Sequence, residues 1–231
     1  MPACPRINMR IPHRQAHVLL AALLFSANAG AETPVTIVMY GDSTTWGKTL
    51  LHGAYSQSPT NEPGELQRMF DEAGEHVVVK NRGVSGLSCL DFLQGKPFHG
   101  LDAWDVEMKR SNADIVVMNV GINDVLLRPG AGISDCYARL SAIAKANGKI
   151  FVIETPNPVA YFWNARVGRV AAQGRDAGLV VIDQWTAIQK IPNWRSMLSD
   201  GVHPDAALYQ RKAAISFPTL DGIVKSVTKT R

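Results

Sequence analysis

Five apolar runs of strand length punctuate the chain, at 35–40, 77–81, 114–120, 149–154 and 179–183. Most are dense in Val and Ile, as strands buried on both faces are. The segments between them carry apolar positions at helical spacing, which predicts helices over 65–72, 136–146 and 164–177. Ser134 or Asp135 is the expected cap of the second, and Gly148 its expected stop. A last helix is expected to begin at 205–214, with Pro218 kinking or breaking it. Strands alternating with helices predict an α/β fold, a three-layer α/β/α sandwich on a parallel sheet of about five strands. In such sheets ligands bind at the carboxyl ends of the strands. The stretch from Gly47 to Pro63 is long and turn-rich, the kind of loop that shapes a binding site.

Three of the five runs end in residues that carry chemistry. Gly41-Asp42-Ser43 follows the first, Asn81-Arg82-Gly83-Val84-Ser85-Gly86 the second, and Gly121-Ile122-Asn123-Asp124 the third. Far downstream, Asp200-Gly201-Val202-His203 places an acid and an imidazole three residues apart. A serine hydroxyl is a weak nucleophile at neutral pH unless a base takes its proton and a third group orients that base. A glycine N–H at a sharp turn and an asparagine amide are neutral donors of the kind that hold an oxyanion. Each piece alone has an ordinary reading: Ser43 as a helix cap, His203 as a surface histidine, Asn123 in an Asx turn.

The four blocks, in this order, resemble the SGNH hydrolases, the GDSL-type esterases and lipases. Thr44 stands where the commoner form has Leu, at a position with no chemical role. The resemblance implies a flavodoxin-like strand order and a Ser43–His203–Asp200 triad. It also implies an oxyanion hole made by the Ser43 and Gly83 backbone N–H groups and the Asn123 side chain. Asp42, Asp124 and Asn81 are expected to be structural. The implied reaction is ester hydrolysis through an acyl-serine, with no metal and no organic cofactor. Trp46, three residues past Ser43, is a candidate to bind substrate, against core packing as its ordinary role.

Composition sharpens the setting. The 231 residues are 46% hydrophobic and 19% charged, as in an ordinary globular protein of one domain or two. Residues 1–31 read as a cleaved export signal: Arg6, Arg10 and Arg14, then Val18 to Phe25, then small residues up to Ala31. Residues 32–231 would then be a single hydrolase domain, secreted or periplasmic. Removing the three arginines leaves 24 − 3 = 21 basic residues against 20 acidic ones, so no excess of positive charge points to nucleic acid. No apolar run is long enough to predict a membrane-spanning helix. Cys89 and Cys136 remain and are expected to pair in an exported protein. Gly41 to Thr49 (GDSTTWGKT) approaches a phosphate-binding loop, but five residues separate its glycines where that motif has four.

The expected function is therefore an exported serine esterase acting on short-chain, acetyl-type esters such as O-acetylated carbohydrates. The segment after Ser43 offers Trp46 and Tyr55 but little continuous apolar surface for a long chain. A lipase-like or lysophospholipase-like esterase is the alternative within the class. A non-catalytic polysaccharide-binding protein on the same fold is the alternative outside it. The oligomeric state is left open.

Overall fold

The structure is a computed structural model that describes residues 33–127 and 132–231. The export signal expected over 1–31 lies outside the described residues. Among the described residues seven strands occur in chain order: β1 (Val35–Gly41), β2 (Lys48–Leu51), β3 (Ala54–Gln57), β4 (Val77–Gly83), β5 (Ile115–Asn119), β6 (Ile150–Glu154) and β7 (Val180–Ile182). The helices are α1 (Ser43–Trp46), α2 (Glu62–Glu72), α3 (Cys89–Gln94), α4 (Trp104–Arg110), α5 (Ile122–Leu127), α6 (Ser134–Ala146), α7 (Asn164–Arg175), α8 (Gln184–Gln189) and α9 (Ala206–Thr230).

Five strands form one parallel sheet in the order β4-β1-β5-β6-β7. Numbered among themselves these are second, first, third, fourth and fifth, the flavodoxin-like order. The chain leaves β1 toward β4 on one side and later returns to β5 on the other. The carboxyl end of β1, where Gly41 and Ser43 lie, is therefore the point where the strand order reverses.

The alternation along each strand assigns its side chains to two cores. Ile37, Met39, Ile115, Val117 and Val152 face Leu66 and Phe70 of α2 and Ala213, Leu220 and Val224 of α9. Val38, Tyr40, Val116, Met118 and Ile153 face the opposite layer, with Phe92, Trp104, Met108, Tyr137, Leu140 and Val167 from α3, α4, α6 and α7. Tyr40 and Trp104 meet edge to face at 4.9 Å, and the Trp104 indole donates to the Leu140 carbonyl at 2.9 Å.

Three expectations about elements need correction. The 47–63 loop contains a hairpin, β2–β3, turned by His52 and Gly53, both at positive φ (50° and 80°). This pair of left-handed residues suits the twist of a two-residue hairpin turn. Helix α6 takes no side-chain cap from Ser134 or Asp135; Ile133 precedes it, and Asp135 sits in its first turn. Pro218 does not end the last helix, which runs unbroken from Ala206 to Thr230. Its missing N–H costs one backbone bond, while Lys212, Ala213, Ser216, Leu220 and Val224 stay buried on both sides of it.

Beneath the carboxyl ends of the strands lies a buried charged cluster. Lys212 of α9 reaches Glu62 of α2 at 2.9 Å and Glu154 of β6 at 2.8 Å, all three with side chains fully removed from solvent. Ser216 donates to Glu62 at 2.8 Å, and Gln184 donates to Glu62, Ser216 and the Lys212 carbonyl. Asn119, at the end of β5, donates to Glu154. Burial, then the neighbouring Glu154 charge, pushes the Glu62 carboxyl up against the pull of Lys212.

Candidate active site

The site begins where β1 ends. Asp42 is the N-cap of the single-turn helix α1: its Oδ1 accepts the Thr44 N–H at 2.8 Å and the Thr44 hydroxyl at 2.9 Å. Burial raises the Asp42 carboxyl, and these Thr44 bonds oppose the rise. Ser43 follows as the first residue of α1. Gly41 and Gly83 pair across β1 and β4, and both are needed for close approach. A Cβ on Gly83 would lie 2.1 Å from the Trp46 backbone N, and one on Gly41 would lie 2.4 Å from the Asn119 carbonyl. The serine turn can sit tight on the strand ends only because neither residue has a side chain.

His203 arrives from the loop before α9, 160 positions away, and its Nε2 lies 2.9 Å from Ser43 Oγ. On the other side of the ring, Nδ1 lies 2.6 Å from Asp200 Oδ2. The Asp200 Oδ1 accepts the backbone N–H groups of Val202 (2.9 Å) and His203 (2.8 Å). Burial works to raise the Asp200 carboxyl, but the His203 and Val202 donors outweigh it and hold the group at about 2. Asp200 therefore stays ionised through the neutral range, and Nδ1 carries the proton that faces it. Serine, imidazole and carboxylate stand in one hydrogen-bonded line.

The expected donors around Ser43 are placed less uniformly. The Ser43 backbone N–H, at the start of α1, meets no acceptor among the described residues. Asn123, in the first turn of α5, donates to the Leu87 carbonyl at 3.0 Å and more loosely to Asp42 Oδ2 at 3.4 Å. The Gly83 N–H does not face the site: it donates to Asn81 Oδ1 at 2.9 Å. Asn81 in turn bonds the Trp46 carbonyl at 3.2 Å, so this pair fastens β4 to α1. Three residues on, Gly86 is exposed, next to the Leu87 that Asn123 holds, and its N–H has no acceptor among the described residues. Asp124 accepts the Cys89 N–H with both oxygens, at 3.0 and 3.2 Å, and burial pushes its carboxyl up to about 6. It anchors α5 to α3. Beside it, Cys89 and Cys136 form a disulfide joining α3 to α6.

Trp46 is half-buried and lines a cleft of about 290 Å³ with Gln57, Asn81, Arg82, Gly83 and His99. Ser43 is not among its lining residues. Other side chains meet the site through contacts that the sequence does not signal, Tyr55 among them, which the sequence marks only as an aromatic residue in the segment after Ser43. Tyr55 of β3 donates to Asp200 Oδ2 at 3.0 Å, and Tyr161 donates to the Asp200 carbonyl at 2.8 Å. Ser199 accepts the Leu50 N–H at 2.9 Å. These contacts span 39 to 149 positions and follow no local pattern.

Residues 39–211 match the family model described as the GDSL-like Lipase/Acylhydrolase family. The chain belongs to this family. No curated protein matches the sequence. Among solved structures, a lipase/acylhydrolase from Enterococcus faecalis is 22% identical, with 85% of this chain and 96% of that chain covered and a TM-score of 0.62. A carbohydrate acetylesterase family member from Sinorhizobium meliloti is 19% identical over 83% and 99%, also with a TM-score of 0.62. A carbohydrate esterase family 3 structure from Talaromyces cellulolyticus is 18% identical over 83% and 99%, at a TM-score of 0.61. At these identities the likeness is one of fold. Among the described residues of this GDSL-like chain, no helix is long and apolar enough to cross a membrane. No group of three or more His, Cys, Asp or Glu is placed to hold a metal ion, again among the described residues.

Proposed function

We propose that the protein is an exported serine ester hydrolase, with Ser43 as nucleophile, His203 as general base and acid, and Asp200 as the group that orients the imidazole. The observation that carries this reading is the continuous line from Ser43 Oγ to His203 Nε2 (2.9 Å) and from His203 Nδ1 to Asp200 Oδ2 (2.6 Å). Ser43 Oγ attacks the ester carbonyl while Nε2 takes its proton. Asp200 stabilises the imidazolium that forms. The proton then passes to the leaving alkoxide, the acyl group stays on Ser43, and water activated by Nε2 releases the acid.

The oxyanion is held by the Ser43 N–H and the Asn123 amide. Asn123 exchanges its long contact with Asp42 for a short one to the developing charge. For the third donor Gly86 replaces Gly83, because the Gly83 N–H is already committed to Asn81.

The substrate class proposed is a short-chain ester, such as an O-acetylated carbohydrate. Similar folds that bear carbohydrate esterase titles support it. A longer acyl chain is the second reading. Leu51, in the same hairpin as Tyr55, and Phe162, next to Tyr161, are exposed on the two segments that touch Asp200.

A fluorophosphonate probe tests the mechanism. The wild-type protein should label at Ser43, and Ser43→Ala should neither label nor hydrolyse p-nitrophenyl acetate while keeping its circular dichroism. Turnover by a folded Ser43→Ala near the wild-type rate would refute Ser43 as the nucleophile, whereas a wild type that neither labels nor hydrolyses would refute the catalytic reading of the fold.

A further inference from the structure

The β2–β3 hairpin leans on the loop that carries His203. Leu50 and Tyr55 are register partners in that hairpin. Both bond the same loop, Leu50 through its N–H to Ser199 Oγ at 2.9 Å and Tyr55 through its hydroxyl to Asp200 Oδ2 at 3.0 Å. A third tie fixes the base of the hairpin, where Tyr209 of α9 donates to the Lys48 carbonyl at 2.8 Å. The Tyr55 ring stands edge to face with the His203 imidazole, centroids 6.0 Å apart, and Lys48 Nζ lies 4.1 Å over the Tyr55 ring.

From this geometry we infer that Tyr55 is a positioning residue for the reaction: its hydroxyl fixes the Asp200 carboxylate, and through it the tautomer and angle of His203. The inference rests on the catalytic reading of Ser43, His203 and Asp200.

Three observations support it. Tyr55 bonds the very oxygen that faces His203 Nδ1, so the two donors share Oδ2 while the backbone holds Oδ1. A carboxylate gripped at both oxygens cannot swing away from the ring it orients. Tyr55 is 56% exposed, so core packing does not account for its orientation. The hydroxyl that binds Asp200 comes from an element with no other link to the acid, and a phenol is the chemical type that can donate without bringing charge. Tyr161 supports the same residue from the opposite side, but at its backbone carbonyl, where it sets the loop rather than the carboxylate.

Losing the Tyr55 donor has a defined sign. Oδ2 would present more negative charge to His203, which favours the imidazolium and moves the acid limb of the rate profile to higher pH. The other groups facing this pair are Lys48 over the Tyr55 ring, Asp42 beneath Ser43, and the Tyr161 and Tyr209 phenols, none of which Tyr55→Phe alters. Asp200, held at about 2, stays ionised through the neutral range.

The test is Tyr55→Phe in the full chain, assayed with p-nitrophenyl acetate across pH and by proton NMR of the His203 Nδ1–H. The variant should melt as the wild type does and keep KM. Its kcat should fall by about 3- to 10-fold, the effect of one ordinary hydrogen bond, because solvent screens this exposed contact to the carboxylate. The acid limb should move up, and the downfield Nδ1–H resonance should shift. Unchanged kcat with an unmoved limb and resonance would overturn the inference, as would a loss confined to KM, which would make Tyr55 a substrate contact. If Tyr55→Phe melts early, the resonance of the folded variant decides: unshifted, it overturns the inference. Fluorophosphonate labelling separates the two layers. A wild type that takes no label at Ser43 overturns the catalytic reading and this inference with it; a labelled wild type with an indifferent Tyr55→Phe overturns this inference alone.

Discussion

The two amide protons of Asn123 are held unequally, which suits the oxyanion role proposed for it. One goes to the Leu87 carbonyl at 3.0 Å and fixes the amide; the other reaches Asp42 only at 3.4 Å. A bond that long is weak, so the second proton can turn to a stronger acceptor. The oxyanion exists fully only beyond the ground state. Asn123→Ala should therefore lower kcat by roughly 10²–10³, about 3–4 kcal/mol, with little change in KM. Steady-state kinetics check this, and a change in KM alone would make Asn123 a binding residue. Gly83 carries the opposite lesson. It looked like a donor, yet its N–H is paired with Asn81, and the absence of a side chain is what matters there, 2.1 Å from the Trp46 backbone.

Among the elements, the short helices at the strand ends depend most on cross-links. Helices α3 and α5 have six residues each, too short to be stable on their own. They are held by the Cys89 N–H on Asp124 and by the disulfide from Cys89 to Cys136. With 47 positions between the cysteines, the chain-entropy model gives the bridge about 4 kcal/mol, an upper figure. Replacing both cysteines with serine should lower the melting temperature by an amount that matches a loss of about 2–4 kcal/mol. It should lower activity as well, because Asn123 lies beside Asp124 in α5. A double variant that melts as the wild type does would show the bridge to be dispensable to both.

Across the whole molecule, the Lys212 cluster joins the sheet to its helical cover. It links the start of α2, the end of β6, the start of α8 and the middle of α9 under the strand ends that carry the site. A buried lysine between two carboxylates stabilises chiefly by leaving neither unpaired. Lys212→Met should cost about 3–5 kcal/mol, since it strands two buried acids. Glu62→Gln should cost less, because burial already favours the neutral form of Glu62. Urea titrations of the two variants check the order. On the proposed short-chain reading, a series of p-nitrophenyl esters should give a kcat/KM that peaks between acetate and butyrate. A steady rise toward long chains would favour the second reading, with Leu51 and Phe162 as its contacts.

Local pattern was enough for the scaffold. The five runs lie within a residue or two of the five sheet strands: the inner strands β1, β5 and β6 are buried on both faces and need unbroken apolar sequence, while the edge strands β4 and β7 are partly exposed but keep their Val and Ile. The Gly-Asp-Ser turn, the Asp200–His203 spacing and the strand-end placement of Asn123 were legible for the same reason: each is set by a few adjacent residues. The hairpin was not legible, because β3 is exposed along its length and has no apolar face to mark it. Helix α9 passed Pro218 because burial on either side outweighs the lost backbone bond, and burial is a property of the packed molecule. Ser43 and His203 meet across 160 positions, and Tyr55 and Asp200 across 145. Sequence can supply the chemical types for such contacts, but their distances come only from folding the sheet. Which glycine N–H is free is decided in the same way, by what else has come within hydrogen-bonding reach.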